Sequence, residues 1–156
     1  MKKLVWLALL ASALSAAPPD PVSWKVVESP ARPVKAGARF TLKLAAEIQP
    51  GWHMYSMKAV EDGPIPTRLW LAEGQPFQSG GPVQASHPEV RQDPGFGMEV
   101  GIYEGQATFA VPVRAAASAA AGAQRLVVNA SYQTCDNKLC LPPKTVKVEV
   151  PVTIGR

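Results

Sequence analysis

Cysteine is scarce in this chain: Cys135 and Cys140 are the only two among 156 residues. A scaffold held by many bridges is therefore excluded. The pair supplies only half of a tetrahedral zinc site, and the only histidines, His53 and His87, would have to complete it without any local His-x-x-x-His spacing. Long apolar runs are scarce too. The one run near the N-terminus, Leu4 to Leu14, falls short of the roughly 20 residues that a membrane-spanning helix needs, and nothing later in the chain comes closer. Basic clusters are missing. Lysines and arginines are scattered, and without Lys2 and Lys3 their excess over acidic residues falls from four to two. That leaves no basic stripe of the kind nucleic acid requires. Sustained helical periodicity is also absent, which points away from a helical fold.

The first residues read as an address. Lys2 and Lys3 precede the apolar run, and Ser15, Ala16 and Ala17 follow it. A basic start, a short apolar centre and a small-residue exit make a secretory signal peptide, assigned here to residues 1–17. Ala11-Ser12-Ala13 also fits a small-x-small cleavage pattern. No cysteine follows the run, so a lipid anchor on cysteine is not expected. The expectation is an exported, periplasmic protein whose single domain covers residues 18–156, long enough for its own core. Export places the two cysteines where disulfides persist.

Sixteen prolines and twelve glycines divide the remainder into short segments. Between them lie runs with strand character: 22–27, 40–48, 52–57, 67–71, 107–113, 126–134 and 145–154. Phe40, Leu42 and Leu44 alternate with polar neighbours, as do Phe109, Val111 and Val113 with theirs. About seven short strands separated by turn signals predict an all-β fold, an immunoglobulin-like β-sandwich. Trp24, Trp52 and Trp70 are expected as core or rim aromatics. The alanine-rich stretch 115–123 carries Ser118 and Gly122 and reads as a flexible loop between strands.

The cysteines lie between two alternating runs, 126–132 and 146–152, and so at the tip of a C-terminal β-hairpin. Residues opposed across such a pair have Cα atoms about 4.5–5.5 Å apart, within reach of a disulfide. A bridge closing so small a loop stabilises by only ~2 kcal/mol and clips a hairpin that hydrogen bonds already close. It is poorly placed as a staple and well placed as a reversible switch. The register carries a further hint. The pairing that opposes Val128 with Val148 differs by one residue from the pairing that opposes Cys135 with Cys140. One regular ladder cannot satisfy both, so an irregularity is expected, most simply a bulge near Pro142-Pro143. Lys138 and Lys144 would favour a thiolate, and Asp136 would oppose it. Exchange would run through a mixed disulfide with a partner's thiolate. The thioredoxin arrangement, Cys-x-x-Cys at a helix N-terminus, is not present.

Two other stretches stand out. In 49–57, Pro50-Gly51 opens a strand that sets His53, Tyr55 and Met57 on one face and Trp52, Met54 and Ser56 on the other. His53 and Tyr55 either pack in the core or line a site. Copper(I) held by His53, Met54 and Met57, with Met98 or His87 in support, is a lesser reading, because a strand turns Met54 away from the other two. In 91–99, Pro94, Gly95 and Gly97 mark a loop around Phe96, which is either an ordinary loop plug or a movable cover over something reactive.

At Tyr132-Gln133-Thr134-Cys135 and Cys140-Leu141-Pro142-Pro143-Lys144-Thr145 the sequence resembles the N-terminal periplasmic domain of DsbD-type thiol:disulfide interchange proteins. Gly51-Trp52-His53-Met54-Tyr55, Gly63-Pro64-Ile65-Pro66-Thr67, and Phe96-Gly97 followed by Ile102-Tyr103-Glu104 extend the likeness in family order. The resemblance implies an immunoglobulin-like sandwich with one redox pair, Cys135 and Cys140, and no cofactor or metal. It implies that Phe96, with Gly95 and Gly97, forms a cap that shields the pair. It also places His53, Tyr55, Tyr132, Pro142 and Pro143 near the pair, and makes Cys140 the cysteine that bonds a partner. The implied partners are thioredoxin-like proteins as electron donor and acceptor, the acceptors including disulfide isomerases and proteins of cytochrome c maturation. Two departures stand against the family pattern. Four residues separate the cysteines where the best-known members have five. The chain ends at Arg156, without the membrane carrier or thioredoxin-like domain of full-length members, so its electrons would come from a separate protein, such as a membrane electron carrier. The alternative from another class is an exported, non-catalytic binding module, for copper or a partner, with an inert disulfide.

Overall fold

The computed structural model describes residues 20–156; the signal peptide expected at 1–17 lies outside them. The strands in chain order are β1 (Val22–Glu28), β2 (Val34–Lys35), β3 (Arg39–Ile48), β4 (His53–Tyr55), β5 (Arg68–Leu71), β6 (Phe77–Ser79) and β7 (Gln84–Ala85). They continue with β8 (Glu89–Asp93), β9 (Met98–Tyr103), β10 (Gln106–Ala115), β11 (Gly122–Tyr132), β12 (Thr134–Cys135) and β13 (Lys144–Gly155). Every run expected as a strand contains one, but 52–57 holds only the three residues of β4, and 126–134 divides into β11 and the start of β12. Residues 116–121 form the connection expected of the alanine-rich stretch.

Two sheets make the sandwich. One has the order β1-β3-β10-β6, with β7 also paired to β10; the other has the order β2-β13-β11-β5. Alternation decides which side chains face inward. Leu42 and Leu44 of β3, Phe109, Val111 and Val113 of β10, Leu126, Val128 and Ala130 of β11, and Val150 of β13 are all essentially inaccessible. They form one continuous core. Trp24 packs against Phe109 and Tyr132 at its edge, with ring centroids 5.3 and 5.8 Å away. Trp52 is partly buried against the core, whereas Trp70 is exposed. Among the described residues no helix is long and apolar enough to cross a membrane.

A third sheet, in the order β12-β4-β9-β8, sits beside the sandwich. Two of its four strands, β8 and β9, have no counterpart among the runs expected from the sequence, and β12 begins at the end of the 126–134 run. Part of the stretch taken for a loop, Arg91–Asp93 and Met98–Glu99, belongs to the β8–β9 hairpin, and only residues 94–97 turn. The hairpin closes through Gly97 N–H donating to the Asp93 carbonyl, with Gly97 at a φ of 67° that side chains disfavour. β4 approaches β9 closely: Ser56 N–H donates to the Gly101 carbonyl at 2.8 Å, and a Cβ on Gly101 would lie 2.7 Å from the Ser56 hydroxyl. Only glycine leaves room there.

The two faces of this sheet do different things. Met54 of β4 and Tyr103 of β9, paired with each other, join the sandwich core. The opposite face carries Cys135, His53, Tyr55, Ile102, Val100, Arg91 and Asp93, because antiparallel partners share a face and residues two apart on a strand do as well.

Candidate functional site

The chain reaches the site by changing sheets. β11 and β13 hold one register from Gly122↔Ile154 to Tyr132↔Lys144, with Val128 opposite Val148. After Tyr132 the chain leaves β13, and β12 pairs instead with β4, placing Cys135 opposite His53. Cys135 and Cys140 form an isolated antiparallel bridge of their own, and Leu141 N–H donates to the Thr134 carbonyl. Leu141, Pro142 and Pro143 therefore stand opposite Gln133 and Thr134 alone. This is the expected irregularity, with the extra residue on the proline side, where a missing N–H costs least.

Cys135 and Cys140 are joined by a disulfide with Cα atoms 4.0 Å apart. The two cysteines are not equivalent. Cys135 is 2% exposed, whereas Cys140 is exposed. The four residues between them are held from within: Asp136 N–H donates to the Leu139 carbonyl, and Asp136 Oδ1 accepts the N–H groups of Lys138 and Leu139 at 2.7 and 2.6 Å. Those two N–H groups hold the Asp136 carboxyl below its ordinary pKa.

Beneath Cys135 lies a small second core of Tyr55, Val100, Ile102 and Cys135 itself, with Phe96 and Met98 packed against it. Its polar atoms are all engaged. Tyr55 Oη donates to Asp93 Oδ2 at 2.8 Å and lies 3.1 Å from Cys135 Sγ. His53 Nε2 is 3.4 Å from Tyr55 Oη and 3.7 Å from Asp93 Oδ2. Arg91 Nη2 reaches His53 Nδ1 at 3.3 Å, while its Nη1 pairs with Glu104 at 2.9 Å. Asp93 Oδ1 accepts the N–H groups of Gly95 and Phe96 at 2.7 and 3.1 Å. The Phe96 ring stands edge-on to Tyr55, with centroids 5.9 Å apart. Asp93 thus ties the 94–97 turn to the tyrosine that touches the disulfide.

Burial sets the ionisation states. It pushes the Tyr55 phenol far above its usual value, helped by the hydrogen bond and charge of Asp93. For Asp93, burial works upward but is outweighed by the donors Tyr55, Phe96 and Gly95, so the carboxylate lies below its ordinary pKa. His53 is lowered by burial first and by the Arg91 charge second, against Asp93, Glu104 and Asp136. At neutral pH the site holds a neutral imidazole, a phenol and a carboxylate. A groove of about 410 Å³ opens beside them, between the 91–95 segment and the cystine loop, and both cysteines line it.

These features match a known pattern. The family model for the N-terminal part of thiol:disulfide interchange protein DsbD matches residues 25–151, which is most of the chain. The chain belongs to the DsbD N-terminal family. Among solved structures it is similar to the reduced DsbD N-terminal domain of Neisseria meningitidis, at 21% identity and a TM-score of 0.52, over 76% of this chain and 82% of that one. It is also similar to the N-terminal periplasmic domain of ScsB from Proteus mirabilis, at 13% identity and a TM-score of 0.51, over 85% of this chain and 45% of that one. A comparison with curated proteins found no match. At these identities the structures bear on the fold; the family model carries the assignment to disulfide-exchange domains that work with redox partner proteins.

Not every residue singled out in the sequence lies at this site. His53, Tyr55, Gly95 and Phe96 surround Cys135 as described, and Gly97 closes the turn. Tyr132 instead belongs to the sandwich core, where its hydroxyl donates to Asp20 at 3.2 Å. Pro142 and Pro143 are exposed in the extended return from Cys140. Lys144 pairs with Asp20. Met57, expected beside His53, packs on the sandwich core because β4 ends at Tyr55. Met54 is buried in that core too, so two of the three thioethers named for copper, Met54 and Met57, lie away from the small core that Met98 packs against. The sequence reading missed Asp93, Arg91, Thr67 and Gln133. The Thr67 hydroxyl donates to the Tyr55 carbonyl and Gln133 Oε1 accepts Ile65 N–H, clamping the 63–67 segment onto β4 and onto the link between β11 and β12. Asp93-Pro94-Gly95 carried the signal for one of these, since an aspartate before Pro-Gly commonly caps its own turn.

Proposed function

We propose that the chain is exported, loses residues 1–17, and acts in the periplasm through a domain, 18–156, that relays electron pairs by disulfide exchange. Cys135 and Cys140 carry the chemistry. The observation that supports this most directly is the asymmetry of the pair: an exposed Cys140 in an open groove and a buried Cys135 against Tyr55. A partner's thiolate attacks Cys140 Sγ, the intramolecular S–S bond breaks, and its electron pair leaves on Cys135 as a thiolate. The partner's second thiolate then attacks the partner sulfur of the mixed disulfide and releases Cys140. The partner ends as a disulfide and this domain as a dithiol. The reverse sequence reduces an acceptor.

Donor and acceptor in this reading are thioredoxin-like proteins, with disulfide isomerases or cytochrome c maturation proteins as acceptors. Phe96, on the turn anchored by Asp93, is the cap that a partner displaces. The decisive experiment is the reduction potential of the pair, read by equilibrating the protein across a dithiol series and trapping thiols by alkylation. A value between about −270 and −180 mV, where thioredoxins and disulfide isomerases lie, is expected. A value below about −300 mV would mark an inert bridge and favour a binding module.

A further inference from the structure

The hydrogen bonds around Tyr55 can be assigned a direction, and the assignment gives His53 a task. Arg91 has only donors, so its contact with His53 Nδ1 at 3.3 Å requires a lone pair there. The imidazole proton must then sit on Nε2, facing Tyr55 Oη at 3.4 Å and Asp93 Oδ2 at 3.7 Å. Glu104 holds the other arm of the guanidinium, which keeps the fork in place. Tyr55 has one hydrogen. In the oxidised protein it goes to Asp93 Oδ2, the nearest and only charged acceptor, so an oxygen lone pair faces Cys135 Sγ at 3.1 Å. That arrangement suits a neutral disulfide sulfur and repels a thiolate.

We infer that His53, fixed by Arg91 as the Nε2–H tautomer, is a positioning residue that takes over Asp93 Oδ2 when the Tyr55 hydroxyl turns to the departing Cys135 thiolate. The inference deepens the relay reading and rests on it. When Cys140 is attacked, the S–S electron pair moves onto Cys135, which is 2% exposed and out of reach of bulk water. Turning the Tyr55 O–H toward that sulfur supplies a donor, but would strip Asp93 Oδ2 of its own. His53 Nε2–H lies close enough to replace it after a small shift. No proton changes owner, because Tyr55 holds its proton far too tightly to act as an acid. The charged or titratable groups facing His53 are Arg91 and Asp93 from β8, Glu104 beyond β9, Asp136 from the cystine loop and Tyr55 from its own strand. Of these, Arg91 works with burial to keep the imidazole neutral.

Two measurements test this. Histidine nitrogen chemical shifts in the oxidised protein should show His53 as the Nε2–H tautomer at neutral pH, and Arg91→Met should admit the Nδ1–H form. An imidazolium or an Nδ1–H imidazole in the unaltered protein would overturn the inference. In a Cys140→Ser background Cys135 is the only thiol, and its ionisation can be followed by thiolate absorbance. There His53→Phe should cut the thiolate fraction at neutral pH about tenfold, equivalent to one pKa unit. His53→Gln, which retains an N–H donor, should restore most of it. No change in His53→Phe, or no rescue by glutamine, would sink the idea. Neither readout depends on partners. An inert bridge would instead show itself in the potential of the native pair, so the two readings fail separately.

Discussion

His53, Met54 and Tyr55 are consecutive, all buried, and serve two different cores. Met54 enters a large apolar interior between two long-stranded sheets. His53 and Tyr55 enter a small one that contains a phenol, an imidazole, a carboxylate and a disulfide. The large core is held by apolar burial, which is tolerant and non-directional. The small core is held by directed hydrogen bonds, each of which leaves a costly orphan if its partner is lost. A strand's alternation lets one segment anchor the site to the body of the protein and equip it at the same time.

The comparison can be broken from either side. On the sandwich side, Leu44→Ala removes a fully inaccessible side chain from the middle of β3. It should cost ~2–5 kcal/mol by denaturant unfolding while leaving the reduction potential of the pair unchanged. A shifted potential would show that the cores are coupled. On the site side, Phe96→Ala empties a half-buried position and should cost only ~1–2 kcal/mol, below the value for a fully buried phenylalanine. Its larger effect should be kinetic. Alkylation of the reduced pair should speed up by about tenfold, the equivalent of ~1.4 kcal/mol of lost shielding. An unchanged rate would make Phe96 a plain packing residue.

The smallest effect is on acid stability, and its sign is fixed by the small core. His53 titrates in the folded state below its ordinary 6.5, so the unfolded chain binds its proton first. The stabilisation from keeping it neutral is present above that value and is lost as pH falls below it toward the folded pKa. Asp93, lowered from 3.8, adds a second loss further into acid, as pH falls through its folded value. Urea midpoints measured from neutral to strongly acid pH should show both stages, and His53→Phe should erase only the first.

The body of the sandwich was legible because β3, β10, β11 and β13 are long and alternate cleanly: Phe40-Thr41-Leu42-Lys43-Leu44 states which face is inward, whereas the short β2, β6 and β7 carry no such pattern. The cystine hairpin was legible for the same reason, and the mismatch between the Val128 and Cys135 registers announced the irregularity. The third sheet was not. Its strands are two to six residues long, and in β4 all three residues are buried, which erases alternation. Tyr132 is expected near the pair because it opens the family motif that ends in Cys135, but the change of sheets after it sends it to the other core. Asp93 and Arg91 meet His53 across more than thirty residues of chain. No local pattern encodes that meeting.

The cystine loop carries its own backbone hydrogen bonds, from Asp136 to Leu139 and from Leu141 to Thr134, and its own aspartate turn. None of these depends on the sulfur–sulfur bond. After reduction the two thiols should therefore stay beside each other, each at a high effective molarity to the other. Ring closure has little left to lose in entropy, which favours returning to the disulfide. A dithiol held in this way is inclined to give its electrons onward, and the turn that holds it is part of the driving force.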